Sequence, residues 1–185
     1  VFDFIPMHYP SVYLSTAAER AEYAANLDAL LCYDEYLCIS RIVADETQQW
    51  LAENGRAGET RPLVTWPDAI ARGEQSAAEP DGDQAPTGPI IVMTGDEPRK
   101  NTYGALAAIG AATAGSPEPR DVLVIGMAGQ STRVHHWSIH AAMRPGEART
   151  ADRISEDEML RQLRGASLVV VPSFDEGLSL PVIEA

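Results

Sequence analysis

The chain has 185 residues, of which 45% are hydrophobic and 22% charged, and it carries a formal net charge of −13. This composition excludes a disordered chain, and the length allows one sizeable globular domain or two small ones. The acidic surface makes nucleic acid and anionic membranes unfavourable partners for this stretch, because it repels phosphate. No apolar run approaches the ~18 residues of a membrane-spanning helix, so we expect a cytoplasmic protein.

The first predicted elements are a strand and a helix. Residues 1–5 form an apolar run that predicts a buried strand, which Pro6 stops because proline lacks an amide proton. Ser15 or Thr16 can cap a helix that runs to about Tyr33. Because the sequence starts inside a strand pattern and without a methionine, we expect a fragment of a longer protein.

A further strand, helix and strand follow before the composition changes. Residues 36–40 predict a strand, and Arg41 to Asn54 predict a helix that Gly55 closes. Residues 62–66 predict another strand. Residues 72–88 have no apolar periodicity and are rich in glycine, proline and acidic residues, which is typical of a linker.

The second half repeats strand and helix three times. Its predicted strands are continuous and apolar, as in fully buried parallel strands, and they cover residues 89–94, 121–126 and 167–172. Helices are predicted from Asn101 to about Ala114, from Ser131 to Met143, and after the capping residue Ser155. This alternation predicts an α/β fold with a doubly wound parallel sheet, whose ligands bind at the carboxyl ends of the strands.

The loop after residues 89–94 holds two adjacent cations. Arg99 and Lys100 are predicted at the start of a helix, where the helix dipole favours anions over cations. A bound phosphate would resolve this conflict, because the helix amides and both cations could bind it together. Two solvated surface charges are the alternative.

The loop after residues 167–172 holds two carboxylates. Ser179 can cap a helix in which Pro181 suits the first turn, so Glu184 lies near its start and Glu176 lies in the loop before it. Gly177 allows close approach of the backbone to a ligand. Both carboxylates can then face one cleft and accept hydrogen bonds from sugar hydroxyls.

These two stretches resemble motifs of one enzyme family. The closing pattern PSxxEGxxLPxxEA and the run EPRKN (97–101) resemble motifs of the retaining glycosyltransferases of family 4, which have the GT-B architecture of two Rossmann-like domains. FDFIP near the start and DEYLCIS later are similar to the end of that family's N-terminal domain. The resemblance implies an N-terminal domain ending at residue 71, a linker at 72–88, and a nucleotide-sugar-binding domain at 89–185, both domains incomplete.

The resemblance also implies roles for individual residues. Glu184 would bind the ribose of the donor nucleotide, and Glu176, the expected catalytic residue, would hold hydroxyls of the transferred sugar. Lys100, with Arg99 beside it, would neutralise the leaving pyrophosphate. The backbone amides of Gly177 and Leu178 would add to this stabilisation, so no metal or other cofactor is required.

Four positions depart from the family pattern. Phe2 stands where many relatives carry a histidine near the reacting sugar, and Thr94 stands where many carry an arginine. Leu178 and Ser179 replace a frequent phenylalanine and glycine. The role of the absent histidine therefore has no counterpart at Phe2.

The expected function is transfer of a sugar from a nucleoside-diphosphate sugar to a growing glycan or lipid-linked glycan, with retention of configuration. The full-length protein could then contact a membrane peripherally. Two alternatives stay open: a sugar-nucleotide epimerase or phosphorylase on the same scaffold, and a degenerate nucleotide-binding module that lacks catalysis. His136 and His140 could share a helix face as metal ligands do, but no third ligand is near in sequence, so no metal site is predicted.

Overall fold

The computed structural model describes residues 3–62, 87–151, 153–177 and 179. Several predicted features lie outside these residues: Phe2, most of the 62–66 strand, most of the 72–88 linker, Leu178, and the helix start that contains Glu184. None of the described helices is both long and apolar enough to cross a membrane.

The described residues fall into two compact units. The first contains residues 3–62 and the described part of 176–179, and the second contains the described residues between 87 and 175. The predicted domain boundaries around the 72–88 linker stay a prediction, because most of that linker lies outside the described residues.

The first unit is a small α/β unit with a two-stranded parallel sheet. Its elements are α1 (Ile5–His8), α2 (Pro10–Tyr13), α3 (Ala17–Leu30), β1 (Glu35–Cys38), α4 (Arg41–Glu53) and β2 (Glu59–Pro62). In the sheet, Glu35 lies opposite Glu59 and Leu37 lies opposite Arg61. Val43 and Leu51 of α4 are fully buried, and they pack with Tyr36 and Cys38 of β1.

The strand predicted at residues 1–5 is wrong for its described part, because Ile5 already begins α1. Pro6 lies in the first turn of this helix, where a missing amide proton costs nothing, since those amides have no partner within the helix. The Ile5 amide instead donates to the Asp3 carboxylate at 3.1 Å. Pro6 therefore starts a helix here and does not stop a strand.

The predicted helix starts of the first unit are confirmed. The Thr16 hydroxyl accepts a hydrogen bond from the Glu19 amide at 3.2 Å, and the Glu19 carboxylate accepts one from the Thr16 amide at 2.8 Å, which is a complete capping box. Ser40 caps α4 through the Val43 amide at 3.2 Å.

The second unit contains a four-stranded parallel sheet. Its strands are β3 (Ile90–Met93), β4 (Val122–Ile125), β5 (Ala148–Thr150) and β6 (Leu168–Val170), in the order β5-β4-β3-β6. Its helices are α5 (Thr102–Thr113), α6 (Ser131–His140) and α7 (Glu156–Gly165), and a 3₁₀ turn covers Pro98–Lys100. The three predicted strands are confirmed, while β5 was not predicted, because an edge strand needs no apolar run.

Helices cover both faces of this sheet. Val92 and Val124 pack on one face with Leu106 of α5 and Val134 of α6. The alternating residues, such as Ile91 and Leu123, pack on the other face with α7. The predicted doubly wound α/β arrangement is therefore confirmed for this unit.

The strand order fixes where a ligand site is expected. The chain runs outward from β3 to β4 and β5, and then returns to place β6 on the other side of β3. β4 and β6 therefore lie on opposite sides of β3, and the strand order reverses at β3. In open parallel sheets, ligands bind in the crevice at this reversal of strand order.

Candidate functional site

The loops that follow β3 and β6 are joined by three hydrogen bonds. The Phe174 amide donates to the Arg99 carbonyl at 2.9 Å, and the Arg99 guanidinium donates to the Asp175 carbonyl at 2.9 Å. The side-chain amide of Asn101 donates to the Pro172 carbonyl at 3.3 Å. The structure thus brings together the two sequence stretches on which the predicted donor site depends, at residues 99–101 and 172–175.

Arg99 is mostly buried and makes an ion pair within its own loop. Its Nε lies 3.0 Å from an oxygen of Glu97, and only 13% of its side chain is exposed. Lys100 is half-buried, and its Cγ would lie 3.4 Å from a Cβ atom added at Gly95. The Lys100 side chain therefore passes over the glycine that opens the loop.

The two cations lie directly before the following α-helix, next to the helix start predicted at Asn101. They lie in the 3₁₀ turn Pro98–Lys100, and Asn101 separates this turn from α5 with a left-handed φ of 50°. Pro98 begins the 3₁₀ turn, and a left-handed residue ends it before α5 can start. The predicted conflict between the cations and the dipole of α5 is therefore smaller than expected.

Two threonine hydroxyls close the base of this loop. The Thr94 hydroxyl donates to the Lys100 carbonyl at 3.0 Å, and the Thr102 hydroxyl donates to the Gly95 carbonyl at 2.8 Å. The two hydroxyl oxygens lie 2.6 Å apart. Thr102 was not predicted as part of this loop, because in the sequence it is only a single hydroxyl at the start of an alanine-rich helix.

The loop after β4 approaches the same edge of the sheet. Gly126 has a φ of 101°, and a Cβ atom there would lie 1.9 Å from the Thr94 carbonyl oxygen. Only glycine fits this position, because both the backbone conformation and the space exclude a side chain. Gly126 thus allows this loop to lie directly against the residue that follows β3.

The remaining predicted site residues are only partly described. Glu176 and Gly177 are half-buried, while Leu178 and Glu184 lie outside the described residues. The predicted grouping of Glu176, Glu184 and Lys100 in one cleft therefore stays a prediction. Within the described part of the chain, the buried Ser173 hydroxyl has no hydrogen-bond partner.

The histidines of α6 do not form a metal site with other described residues. His135, His136 and His140 are exposed on the helix surface. Among the residues that the structure describes, no group of three or more histidine, cysteine, aspartate or glutamate side chains could hold a metal ion.

Comparison with known proteins identifies the family. A family model described as family 4 glycosyltransferase in conflict systems matches residues 13–185. No curated protein matches the chain, and no solved structure does. The match covers both loops at the carboxyl edge of the second sheet, and the parallel α/β units agree with the GT-B type of architecture that the resemblance implies. The resemblance to family 4 is therefore confirmed, and the chain belongs to the family 4 glycosyltransferases in conflict systems.

Proposed function

We propose that this glycosyltransferase uses a nucleoside-diphosphate sugar as donor and binds it at the loops after β3 and β6. The three hydrogen bonds between residues 99–101 and 172–175 carry this proposal. They hold a cation-bearing loop against the start of the motif that contains Glu176, at the reversal of strand order. A diphosphate needs positive charge and amide donors at such a crevice.

Individual residues then have distinct roles. Lys100, with the charge of Arg99 beside it, neutralises the leaving pyrophosphate, and the amides of Gly177 and Leu178 add hydrogen bonds. Glu176 holds hydroxyls of the transferred sugar, and Glu184 holds the ribose. Stabilising the leaving group in this way is electrostatic, so the reaction requires neither a metal nor another cofactor.

We further propose that the sugar is transferred with retention to a growing glycan or lipid-linked glycan. The full-length protein then works in the cytoplasm, with peripheral membrane contact where the acceptor is lipid-linked. The family description supports a place for this transfer in a conflict system.

A screen of the full-length protein against a panel of nucleotide sugars tests this function. We expect one donor to raise the melting temperature and to release its nucleoside diphosphate only when acceptor is present. Proton NMR of the product gives the anomeric configuration, and inversion would contradict retention. Phosphate-dependent release of a sugar phosphate would favour the phosphorylase alternative, and binding without turnover would favour a degenerate module.

Lys100→Ala tests the pyrophosphate role directly. Removing one preorganised group that stabilises charge in a transition state typically lowers kcat about 100-fold, and we expect a loss of this size. Arg164→Ala is the matched control, because it removes one exposed cation of the same unit from the last turn of α7, which precedes the amino end of β6. Equal activity of the two variants would remove Lys100 from the leaving-group role.

A further inference from the structure

Arg99 both accepts a hydrogen bond from the loop after β6 and donates one to it. Its carbonyl accepts from the Phe174 amide and its guanidinium donates to the Asp175 carbonyl, each at 2.9 Å. Two consecutive residues of the second loop are therefore fixed to one residue of the first. The peptide group held at Asp175 is the one that leads into Glu176, the residue assigned to the donor sugar.

Glu97 orients the Arg99 side chain for this contact. The guanidinium places Nε 3.0 Å from the Glu97 carboxylate while Nη1 binds the Asp175 carbonyl. A guanidinium can bind two acceptors at once because it is planar and holds its N–H donors in a fixed arrangement, whereas the charge of a lysine ammonium is concentrated on one nitrogen. With 13% of its side chain exposed, Arg99 packs mainly against protein.

We infer that Arg99 is a positioning residue for the donor sugar, held by Glu97 and acting through the backbone of residues 174–175. This role rests on the proposed function, because it assigns the donor sugar to Glu176. It differs from direct binding of the pyrophosphate by Arg99. In a positioning role, the guanidinium keeps its contacts to Glu97 and to the Asp175 carbonyl while the donor is bound.

The two roles predict opposite effects of Glu97→Gln. If Arg99 bound phosphate directly, removing a carboxylate from its side would release the guanidinium and strengthen the binding of an anionic donor. If Arg99 positions the second loop, losing the Glu97 carboxylate leaves the guanidinium less well oriented and weakens its hydrogen bond to the Asp175 carbonyl. A charge-assisted hydrogen bond contributes about 1.5 kcal/mol or more, so we expect donor affinity to fall roughly tenfold.

Arg99→Lys keeps the positive charge but removes the planar guanidinium, which binds two acceptors at once. We expect it to lower kcat as well as donor affinity, because the sugar-holding residue is displaced. Arg144→Lys is the matched control: the Arg144 guanidinium also binds two backbone carbonyls, those of Ser116 and Pro117, in the same unit but away from the site. This control variant should leave donor affinity and kcat unchanged.

Hydrogen exchange of the full-length protein without ligand completes the test. In the wild type the Phe174 amide is protected by the Arg99 carbonyl, and Arg99→Lys should speed exchange in the peptide that covers residues 172–176 by about tenfold or more. Arg144→Lys should not change it. Unchanged exchange, or tighter donor binding by Glu97→Gln, would overturn the positioning role. If the wild type bound none of the nucleotide sugars, the proposed function itself would fail.

Discussion

At the residue scale, Gly126 shows how tightly the edge of the sheet is packed. The residue follows β4 and faces the carbonyl oxygen of Thr94, the residue directly after β3. The Thr94 amide also donates to the Ile125 carbonyl at 2.9 Å, which extends the pairing of β3 and β4 to the start of the loop that carries Arg99 and Lys100. The loop thus begins from a rigid position, as a preorganised site requires.

Gly126→Ala should destabilise the protein by about 3 kcal/mol, because it combines a strained φ with a collision against backbone. Urea unfolding measures the change in free energy. Gly129→Ala is the control: its φ is 74°, but an added Cβ atom meets nothing within 4 Å. That variant should lose only about 1 kcal/mol, from the left-handed backbone alone. An equal loss of stability in the two variants would show that the contact with the Thr94 carbonyl adds nothing to the cost at Gly126.

Thr94 also explains one departure from the family pattern in structural terms. Many relatives in the family carry an arginine at this position, and this chain carries a hydroxyl there. The Thr94 hydroxyl binds the Lys100 carbonyl and lies against the Thr102 hydroxyl, so it closes the loop that carries Arg99 and Lys100. Its role in this chain is to shape the loop.

At the element scale, α3 depends on its amino-terminal cap. The helix is preceded by Thr16 and has no fully buried residue, although Leu27 and Leu30 pack partly buried against the core of the first unit. The side chains of its first turn are exposed, so this turn depends on the cap. The Glu19 carboxylate accepts hydrogen bonds from the Thr16 amide at 2.8 Å and from the Ser15 hydroxyl at 3.0 Å. These hydrogen bonds, those of Thr16 first, hold the pKa of Glu19 below its ordinary value.

The stability that the cap gives to α3 should therefore decrease at acid pH. The unfolded chain protonates Glu19 at a higher pH than the folded protein does. The Glu19 carboxylate therefore stabilises the folded protein above the ordinary glutamate pKa, and this stabilisation is lost as the pH falls through the lowered pKa. Circular dichroism during urea unfolding, from neutral pH to about pH 3, measures this loss. Glu19→Gln should show a shallower decline, and parallel curves for the two proteins would contradict the role of the cap.

The strands of the second unit differ in how far their sequence predicts them. Residues 90–93 and 122–125 lie at the centre of the sheet with helices on both faces, so they are apolar throughout and easy to recognise. Among the described strands, residues 148–150 form an edge strand and pair with β4 alone. Arg149 pairs there with Asp121 at 2.9 Å. A polar edge strand carries no hydrophobic pattern, so its sequence does not distinguish it from a loop.

At the scale of the whole molecule, each unit has its own core. Leu106 of α5 is fully buried against Val92 and Val124 on one face of the second sheet. The same helix starts next to the loop that carries Lys100. Packing at Leu106 therefore supports both the stability of the second unit and the position of the site.

Leu106→Ala should cost about 3 kcal/mol, because it leaves a cavity in a close-packed core. The free energy of unfolding gives this cost, and the donor-induced rise in melting temperature reports on the site. Leu168→Ala is the control, since that side chain is 53% exposed, and its cost should stay below about 1 kcal/mol. A small loss for Leu106→Ala would mean that the neighbouring side chains fill the cavity.

The sequence by itself determined the class of this protein. Continuous apolar runs identified three of the four described strands of the second sheet, and the predicted caps at Thr16 and Ser155 are present in the fold. The spacing in PSxxEGxxLPxxEA and the run EPRKN identified the family, because the chemistry of a donor site constrains both residue type and order. These signals are local along the chain, so no tertiary information was needed to recognise them.

Only the tertiary structure decided which of these parts meet. Strand order cannot be read from a single sequence, because each parallel strand has the same apolar pattern and the sheet could be ordered in several ways. The order β5-β4-β3-β6 places residues 99–101 beside residues 172–175, about 70 positions away in the chain. The partners of Arg99, the contact of Gly126 with Thr94 and the edge strand at 148–150 all follow from that order, because they depend on neighbours in space.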